Sequence, residues 1–397
     1  MIAFFGSIMI ALAALLIPNR TPYSRIWRPS FLMAVMSAVG WSVTWLYFEL
    51  AGLDPVVEVL YLVGLFSFLA ADWATTSISG DIPRVAAPQR FEVGQLVPRV
   101  ELAWIFALLA GIGTVLLAYL YQQRSTMFNM FEFGAALRYA EAIAQLPTYG
   151  AYHFLLFGQV LAAVLVLNPR LVLRFAGYGL FAIMVFASFV AVSRTTLFFN
   201  MAALAFLMYA RTKNYRALAL PVATAVALMF YYAVIAGKDE VGQESFFWHY
   251  AGYAVVAFSQ FILPMIDWDW GINSFGAPAL LIAGRQPEDL SEMGTQYNVY
   301  SFIGSPYRDF GLAGVILLPF LFGILWSLVW NRVATRPFYL IMYAYMLLPC
   351  VIPMFDWKFN FTSYFYLAPL LLLLLRGRFV DEAESIAAQP QPAGQPA

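Results

Sequence analysis

Long apolar runs succeed one another along this chain, separated by short clusters of Arg, Asp, Gly and Pro, and none of the runs alternates with a period of two. That pattern predicts helices rather than strands. Many runs approach the length of about 20 mostly apolar residues that a bilayer crossing needs. Eleven candidate spans follow, near 2–17, 31–50, 55–71, 102–120, 150–168, 172–192, 195–210, 217–236, 311–330, 338–352 and 361–375. A helix satisfies its own backbone, which is what a segment without access to water requires. The expected fold is all-α: a polytopic integral membrane protein with about 11 transmembrane helices in a single domain over 1–380, followed by a polar, Pro-rich tail over 381–397 expected to be disordered.

Composition sharpens this. Hydrophobic residues make up 62% of the chain and charged ones 11%, against about 45–50% and about 25% in soluble domains. Lipid must therefore be the solvent for most of the surface. Aromatic residues reach 18%, in keeping with rings that settle at membrane interfaces. The segment Met1 to Pro18 has no charged leader or small-residue cleavage site and is expected to be a span rather than a removable signal.

Arg and Lys set the orientation, because cytoplasmic loops retain them. With the N-terminus outside, alternate loops carry Arg20, Arg25 and Arg28; Arg84, Arg90 and Arg99; Arg170 and Arg174; Arg211, Lys213 and Arg216; Arg332 and Arg336; and Arg376 and Arg378. These are 15 of the 22 cations, and they are expected in the cytoplasm together with the C-terminus. The large excursion at 237–310 then lies outside. Within it, Phe246–Ile266 is apolar enough to span, which would invert everything after it; its His249, Ser259, Gln260 and Pro264 favour an interfacial or re-entrant helix, paired with the short run Ala277–Ala283.

Several classes of chemistry are disfavoured. Zero net charge gives no pull towards nucleic acid. Cys350 is the only cysteine, so there is no internal disulfide. His153 and His249 are too few for a histidine metal cluster. There is no Walker A, dinucleotide or HExxH motif. No metal and no cofactor are expected.

Candidate chemistry lies on the outer side. Arg194, between two spans in Val192-Ser-Arg-Thr-Thr196, has the planar fork that binds diphosphate through paired hydrogen bonds, although an Arg snorkelling to water would occupy the same place. The densest polar stretch runs from Gly294 to Gly311. Its Gln296, Tyr297, Asn298, Tyr300 and Tyr307 offer amide, hydroxyl and ring partners for a sugar, and Arg308 and Asp309 set a cation beside a carboxylate. Asp309 would equally complement the N-terminal dipole of the following helix. Arg285 is a second candidate phosphate contact. Glu240, Glu244 and His249 are candidate general bases, set against the plain alternative of a solvated loop. Asp267-Trp-Asp-Trp270 is a weaker sugar-stacking candidate.

The stretch Asn298-Val-Tyr-Ser-Phe-Ile-Gly-Ser-Pro-Tyr-Arg-Asp-Phe-Gly-Leu-Ala-Gly-Val315 resembles the signature of bacterial oligosaccharide repeat-unit polymerases, the Wzy-type O-antigen and exopolysaccharide polymerases. Ser193-Arg194-Thr195 is similar to that family's Ser-Arg pair at the start of a periplasmic helix. The resemblance covers two short motifs together with the general architecture. It implies an inner-membrane enzyme with its N-terminus in the periplasm, acting on undecaprenyl-diphosphate-linked oligosaccharides. A hydroxyl of the incoming unit attacks the anomeric carbon of the growing chain, and the lipid diphosphate leaves. Arg194 and Arg308 would stabilise that leaving group; Asp309, Glu240 or His249 would take the proton; Arg285, Asn298, Tyr300 and Tyr307 would contact substrate. Membrane lipid, a flippase and a chain-length regulator of the same pathway are the implied partners. Two alternatives share these features: an O-antigen ligase, which typically carries its His late in the large loop, whereas His249 comes early; and a non-enzymatic flippase, which typically shows repeats and midplane charges, whereas this chain keeps its charges mostly at the edges and has one dominant external loop.

Overall fold

The computed structural model describes residues 1–47, 53–78, 99–127, 150–190, 194–230, 254–264, 271–275, 301–354, 357–359 and 363–375. Within them the regular structure is helical. The helices are α1 (Ile2–Leu16), α2 (Pro29–Tyr47), α3 (Pro55–Ile78), α4 (Val100–Met127), α5 (Ala151–Val166), α6 (Leu171–Val190), α7 (Arg194–Thr212), α8 (Ala219–Phe230), the one-turn α9 (Ile272–Phe275), α10 (Gly304–Arg332), α11 (Pro337–Met346), the short α12 (Leu348–Val351) and α13 (Ser363–Leu375). Each of the eleven apolar runs therefore holds a helix. Among the described residues, five helices are long and apolar enough to cross a membrane, through Pro29–Leu46, Pro55–Ile78, Val100–Gln123, Leu171–Ser188 and Gly304–Arg332.

Two elements differ from the hydropathy pattern, and prolines and glycines explain both. The run expected as one helix over 338–352 breaks at Leu347 into α11 and α12. Pro349 has no N–H to donate, and its ring crowds the preceding turn. The helix expected at 311–330 begins earlier, at Gly304, but Gly311 adopts φ 59° and ψ −143°. That conformation is open essentially to glycine alone. It divides α10 into a short arm, 304–310, and a long apolar limb, 312–332.

Local capping starts the first helices. Asp54 accepts a hydrogen bond from the Val56 N–H at 2.9 Å, just ahead of Pro55 at the first position of α3. Glu58, one turn on, accepts from the Ala3 N–H at 2.7 Å and pairs with the N-terminal ammonium at 3.0 Å, which ties the start of α1 to α3. The core centres on α3 against α10, where Gly323 lies close to Phe68 and Ala71. Small residues of this kind let helices approach closely where lipid supplies no hydrophobic drive. Trp326, Trp330 and Trp357 are fully buried around this contact.

Two groups of polar contacts mark opposite ends of the bundle. At one, Arg28 at the head of α2 is buried and pairs with Asp72 of α3 (Nε to Oδ2, 2.8 Å; Nη2 to Oδ1, 3.1 Å). It also donates to Thr76 at 2.6 Å and to the carbonyls of Ile17 and Pro18. Thr76 in turn accepts from Asn331 at the foot of α10. The Ser24 N–H meets the hydroxyl of Tyr209 near the end of α7, and the Lys213 ammonium sits 3.3 Å from the centre of the Tyr23 ring. Groups beside Arg25, Arg28, Lys213 and Arg332 thus lie together at this end. Arg28 itself is not a loop cation awaiting solvent. Burial beside Asp72 makes it a rivet between helices.

At the opposite end the starts of α3 and α10 meet pieces of the long excursion. The Asp54 N–H donates to Ser259 at 3.1 Å, in a segment that ends in the π-helical turn Phe258–Ile262. That described part of the ambiguous run Phe246–Ile266 packs on the arm of α10 through Phe258 and Tyr307, with ring centres 5.5 Å apart. The rest of 237–310 apart from 254–264, 271–275 and 301–310 lies outside the described residues, with Ala277–Ala283, Asp267–Trp270 and the tail 381–397.

Candidate functional site

The arm of α10 carries Tyr307, Arg308 and Asp309 and is held on several sides. Upstream, the Phe302 N–H donates to the Pro353 carbonyl at 2.9 Å, and the Phe302 ring packs edge-on against Tyr61 with centres 4.9 Å apart. Downstream, the backbone kinks at Gly311. Gly314 then passes so close to the arm that a Cβ there would lie 2.0 Å from the Pro306 carbonyl oxygen. The Gly-x-x-Gly spacing of Gly311 and Gly314 is thus a joint: the first glycine makes the bend and the second leaves room for what the bend folds back.

Asp309 is fully buried and does not cap its own helix. Oδ1 accepts from the Asn273 backbone N–H at 3.2 Å and from the Asn273 side-chain amide at 2.9 Å, and Oδ2 accepts from the Ser274 N–H at 2.6 Å. These are the free donors at the head of α9, so the carboxylate complements the N-terminus of a helix 36 residues upstream. The far side of the same turn is fixed by Trp357, whose indole N–H donates to the Ser274 carbonyl at 2.8 Å. A piece of the long excursion is in this way clamped between the arm of α10 and the 357–359 stretch.

Arg308 is 5% exposed and engages other groups of the protein. It is therefore built into the arm rather than displayed on its surface. Tyr307 is partly exposed. Arg194 is the first residue of α7, at the end opposite Lys213, but its side chain lies outside the described residues. Glu240, Glu244, His249, Arg285, Gln296, Tyr297, Asn298 and Tyr300 also lie outside them. Of the candidates, the described residues bring together Tyr307, Arg308 and Asp309.

Asn273, Ser274 and Trp357 escaped the sequence reading. Their signal was faint: a Gly-Ile-Asn-Ser turn, of the kind that begins short helices, and one more Trp among 11. Below the arm, Val59, Leu62, Val63, Phe66 and Ser67 of α3 and Ile316 of α10 line an open apolar groove of ≈ 520 Å³. Val59 is 53% and Phe66 61% exposed, so this groove faces the surroundings of the bundle. No family model, curated protein or solved structure matches the chain.

Proposed function

We propose that this protein joins undecaprenyl-diphosphate-linked oligosaccharide repeat units into polysaccharide at the periplasmic face of a bacterial inner membrane, with its N-terminus in the periplasm and its C-terminus in the cytoplasm. The observation that carries this reading is the joint in α10. Three residues of the stretch that carries the resemblance to repeat-unit polymerases serve the joint and the clamp: Asp309 ties down the excursion, Gly311 turns the chain and Gly314 accommodates the turn. A polar segment clamped over the head of an apolar helix pair suits a substrate with a sugar head and a long lipid tail. The groove on α3 and α10 supports the same reading, since it offers an apolar path down from the arm.

In the proposed reaction a hydroxyl of the incoming unit attacks the anomeric carbon of the growing chain. The bond to the lipid diphosphate breaks, and the new glycosidic bond leaves the chain on the incoming carrier. Arg194 stabilises the negative charge that develops on the departing diphosphate, and Arg308 adds its positive charge from within the arm. Arg285, Asn298, Tyr300 and Tyr307 bind the sugar and phosphate groups. We assign Asp309 a positioning role, because three donors already occupy its two oxygens. The proton then goes to Glu240 or His249. A flippase that delivers the units and a regulator of chain length are the proposed pathway partners.

The test is to incubate the purified protein with lipid-linked repeat units extracted from the source cells. A ladder of longer glycans still attached to the carrier is the expected product. Glycan transferred only to a lipid A core acceptor would make the protein a ligase, and carriers crossing a vesicle wall without elongation would make it a transporter.

A further inference from the structure

Ser301 carries two costs at once. Its φ is 64°, in the left-handed region that a residue with a side chain rarely adopts. Its hydroxyl is buried, with the residue 1% exposed, and has no hydrogen-bond partner. Buried hydroxyls are mostly partnered; Ser7 and Ser327 are also buried without a partner, but of these serines Ser301 alone adds a positive φ. The other non-glycine residue at positive φ among those described, Lys213, shows what an ordinary case looks like. It follows the end of α7 and its N–H bonds to the Tyr209 carbonyl at 2.7 Å, a common way for a helix to stop. Ser301 ends no helix.

The backbone from Ser301 onward is pinned. The Phe302 N–H donates to Pro353, the Gly304 N–H donates to the Ser301 carbonyl at 3.2 Å, the Phe302 ring sits on Tyr61, and Ile303 packs against Gly64. The conformation is thus imposed by the surrounding fold, and glycine would meet it without strain and without leaving a hydroxyl unpaired. The same segment uses glycine at 304 and 311, yet keeps serine at 301. Local strain that persists in this way gathers at functional sites.

We propose that the Ser301 hydroxyl, just ahead of the arm, is a sugar contact, giving and receiving hydrogen bonds with a hydroxyl of the repeat unit. Serine suits this because one oxygen both donates and accepts, as a sugar hydroxyl does. The proposal rests on the reading of the substrate as a lipid-linked oligosaccharide. Ser301 selects the sugar head and makes no contact with the lipid tail.

Two variants separate contact from strain. Ser301→Gly removes both the hydroxyl and the strain, and Ser301→Ala removes only the hydroxyl. Thermal melting of each purified protein is followed alone, with the extracted sugar-bearing carrier, and with undecaprenyl diphosphate lacking sugar. The wild type is expected to be stabilised more by the first carrier than by the second. Ser301→Gly should melt no lower than wild type when unliganded, yet lose that difference, and its KM for the repeat unit should rise about two- to tenfold with kcat little changed, as befits one neutral hydrogen bond. Ser301→Ala should lose the same difference. Wild-type KM and wild-type stabilisation in both variants would overturn the proposal, as would a wild type that does not distinguish the two carriers. If the wild type distinguishes them but makes no polymer, and Ser301→Gly does not distinguish them, the polymerase reading falls while the sugar contact stands.

Discussion

Asp309 and Ser274 meet with the carboxylate Oδ2 2.6 Å from the backbone nitrogen, across 35 residues of sequence. This bond, with the two from Asn273, makes the motif's carboxylate an anchor for the excursion rather than an ornament of its own helix. A carboxylate that accepts several N–H bonds is held in one orientation, and so is the turn that supplies them.

Asp309→Asn tests that role. An amide turns an NH₂ towards backbone N–H groups that need an acceptor, so at least one charge-assisted bond of about 1.5–3 kcal/mol is lost. The expected result is a lower melting temperature and a raised KM for lipid-linked units, with residual turnover. If Asp309 were the proton acceptor, Asn would instead abolish kcat while leaving stability and substrate binding near wild type. Specific activity per folded, membrane-inserted protein separates the two.

The joint makes a second prediction. Gly311→Ala forces a side chain into φ 59°, ψ −143°, at a cost on the order of 1–3 kcal/mol. Gly314→Ala places a methyl 2.0 Å from the Pro306 carbonyl, so the arm must swing away. Both variants should lose most activity and melt lower than wild type. Gly111→Ala is the control: nothing lies within 4 Å of its added carbon, and it should match or slightly exceed wild-type stability, by up to about 1 kcal/mol. Equal melting and activity in all three would remove the joint from the explanation of the motif.

Hydropathy made the helices legible because each apolar run is a local property, and the break at Gly311 was legible as the edge of such a run. What the sequence hid are relations across distance. Arg28 looked like one more cation of a cytoplasmic loop, since nothing near it in sequence announces Asp72, 44 residues on. Asp309 was singled out, but its partners in α9 belong to an unremarkable turn. The split of α11 from α12 was in principle visible in Pro349, yet a high apolar content masked it. In the candidate site, the residue types were readable and their tasks were not, because a carboxylate used as an anchor and one used as a base look the same in a string of letters.

The Arg28–Asp72 pair yields a third prediction. Asp72→Leu leaves a buried guanidinium without its counter-ion, and losing one partner of such a pair costs about 3–5 kcal/mol. Arg28→Met with Asp72→Leu removes both charges, and it should recover most of that loss. Melting of the two single variants and the double variant in detergent closes the cycle. A double variant as unstable as Asp72→Leu alone would show that the pair's other bonds, to Thr76 and the Ile17 and Pro18 carbonyls, dominate.

Arg194 opens α7 at the end where the arm of α10 lies. If it binds diphosphate through its paired donors, Arg194→Lys keeps the charge and loses the fork. The turnover should fall roughly ten- to a hundredfold, the effect of one charge-assisted bond, with normal membrane insertion. Polymer of wild-type length and amount from Arg194→Lys and Arg194→Ala cells would make it an interfacial residue without a part in the chemistry.

The last prediction concerns which end faces the cytoplasm, on which every assignment at the arm depends. Arg20, Arg25, Lys213, Arg216 and Arg332 belong to one end of the bundle, and Asp54, Asp309 and α9 to the other. By the retention of cations, the first end is expected inside. Cys350 is the sole cysteine and is buried, so replacing it with Ala gives a background for thiol mapping. A cysteine at Lys213, which is exposed, should react with a membrane-impermeant maleimide only after the cells are opened. Cysteines at Val56, 49% exposed, and Phe275, 38% exposed, should react in intact spheroplasts. A reporter fused near Glu292 should likewise read periplasmic. Labelling of Val56 from outside but of Phe275 only from inside would mean that the excursion crosses the membrane between them. It would also contradict the clamp, because Asp309 could not then hold α9 beside the head of α3. Inversion of all three sites would carry the arm, and with it Arg194, Arg308 and Ser301, to the cytoplasm, where a periplasmic polymerase could not use them.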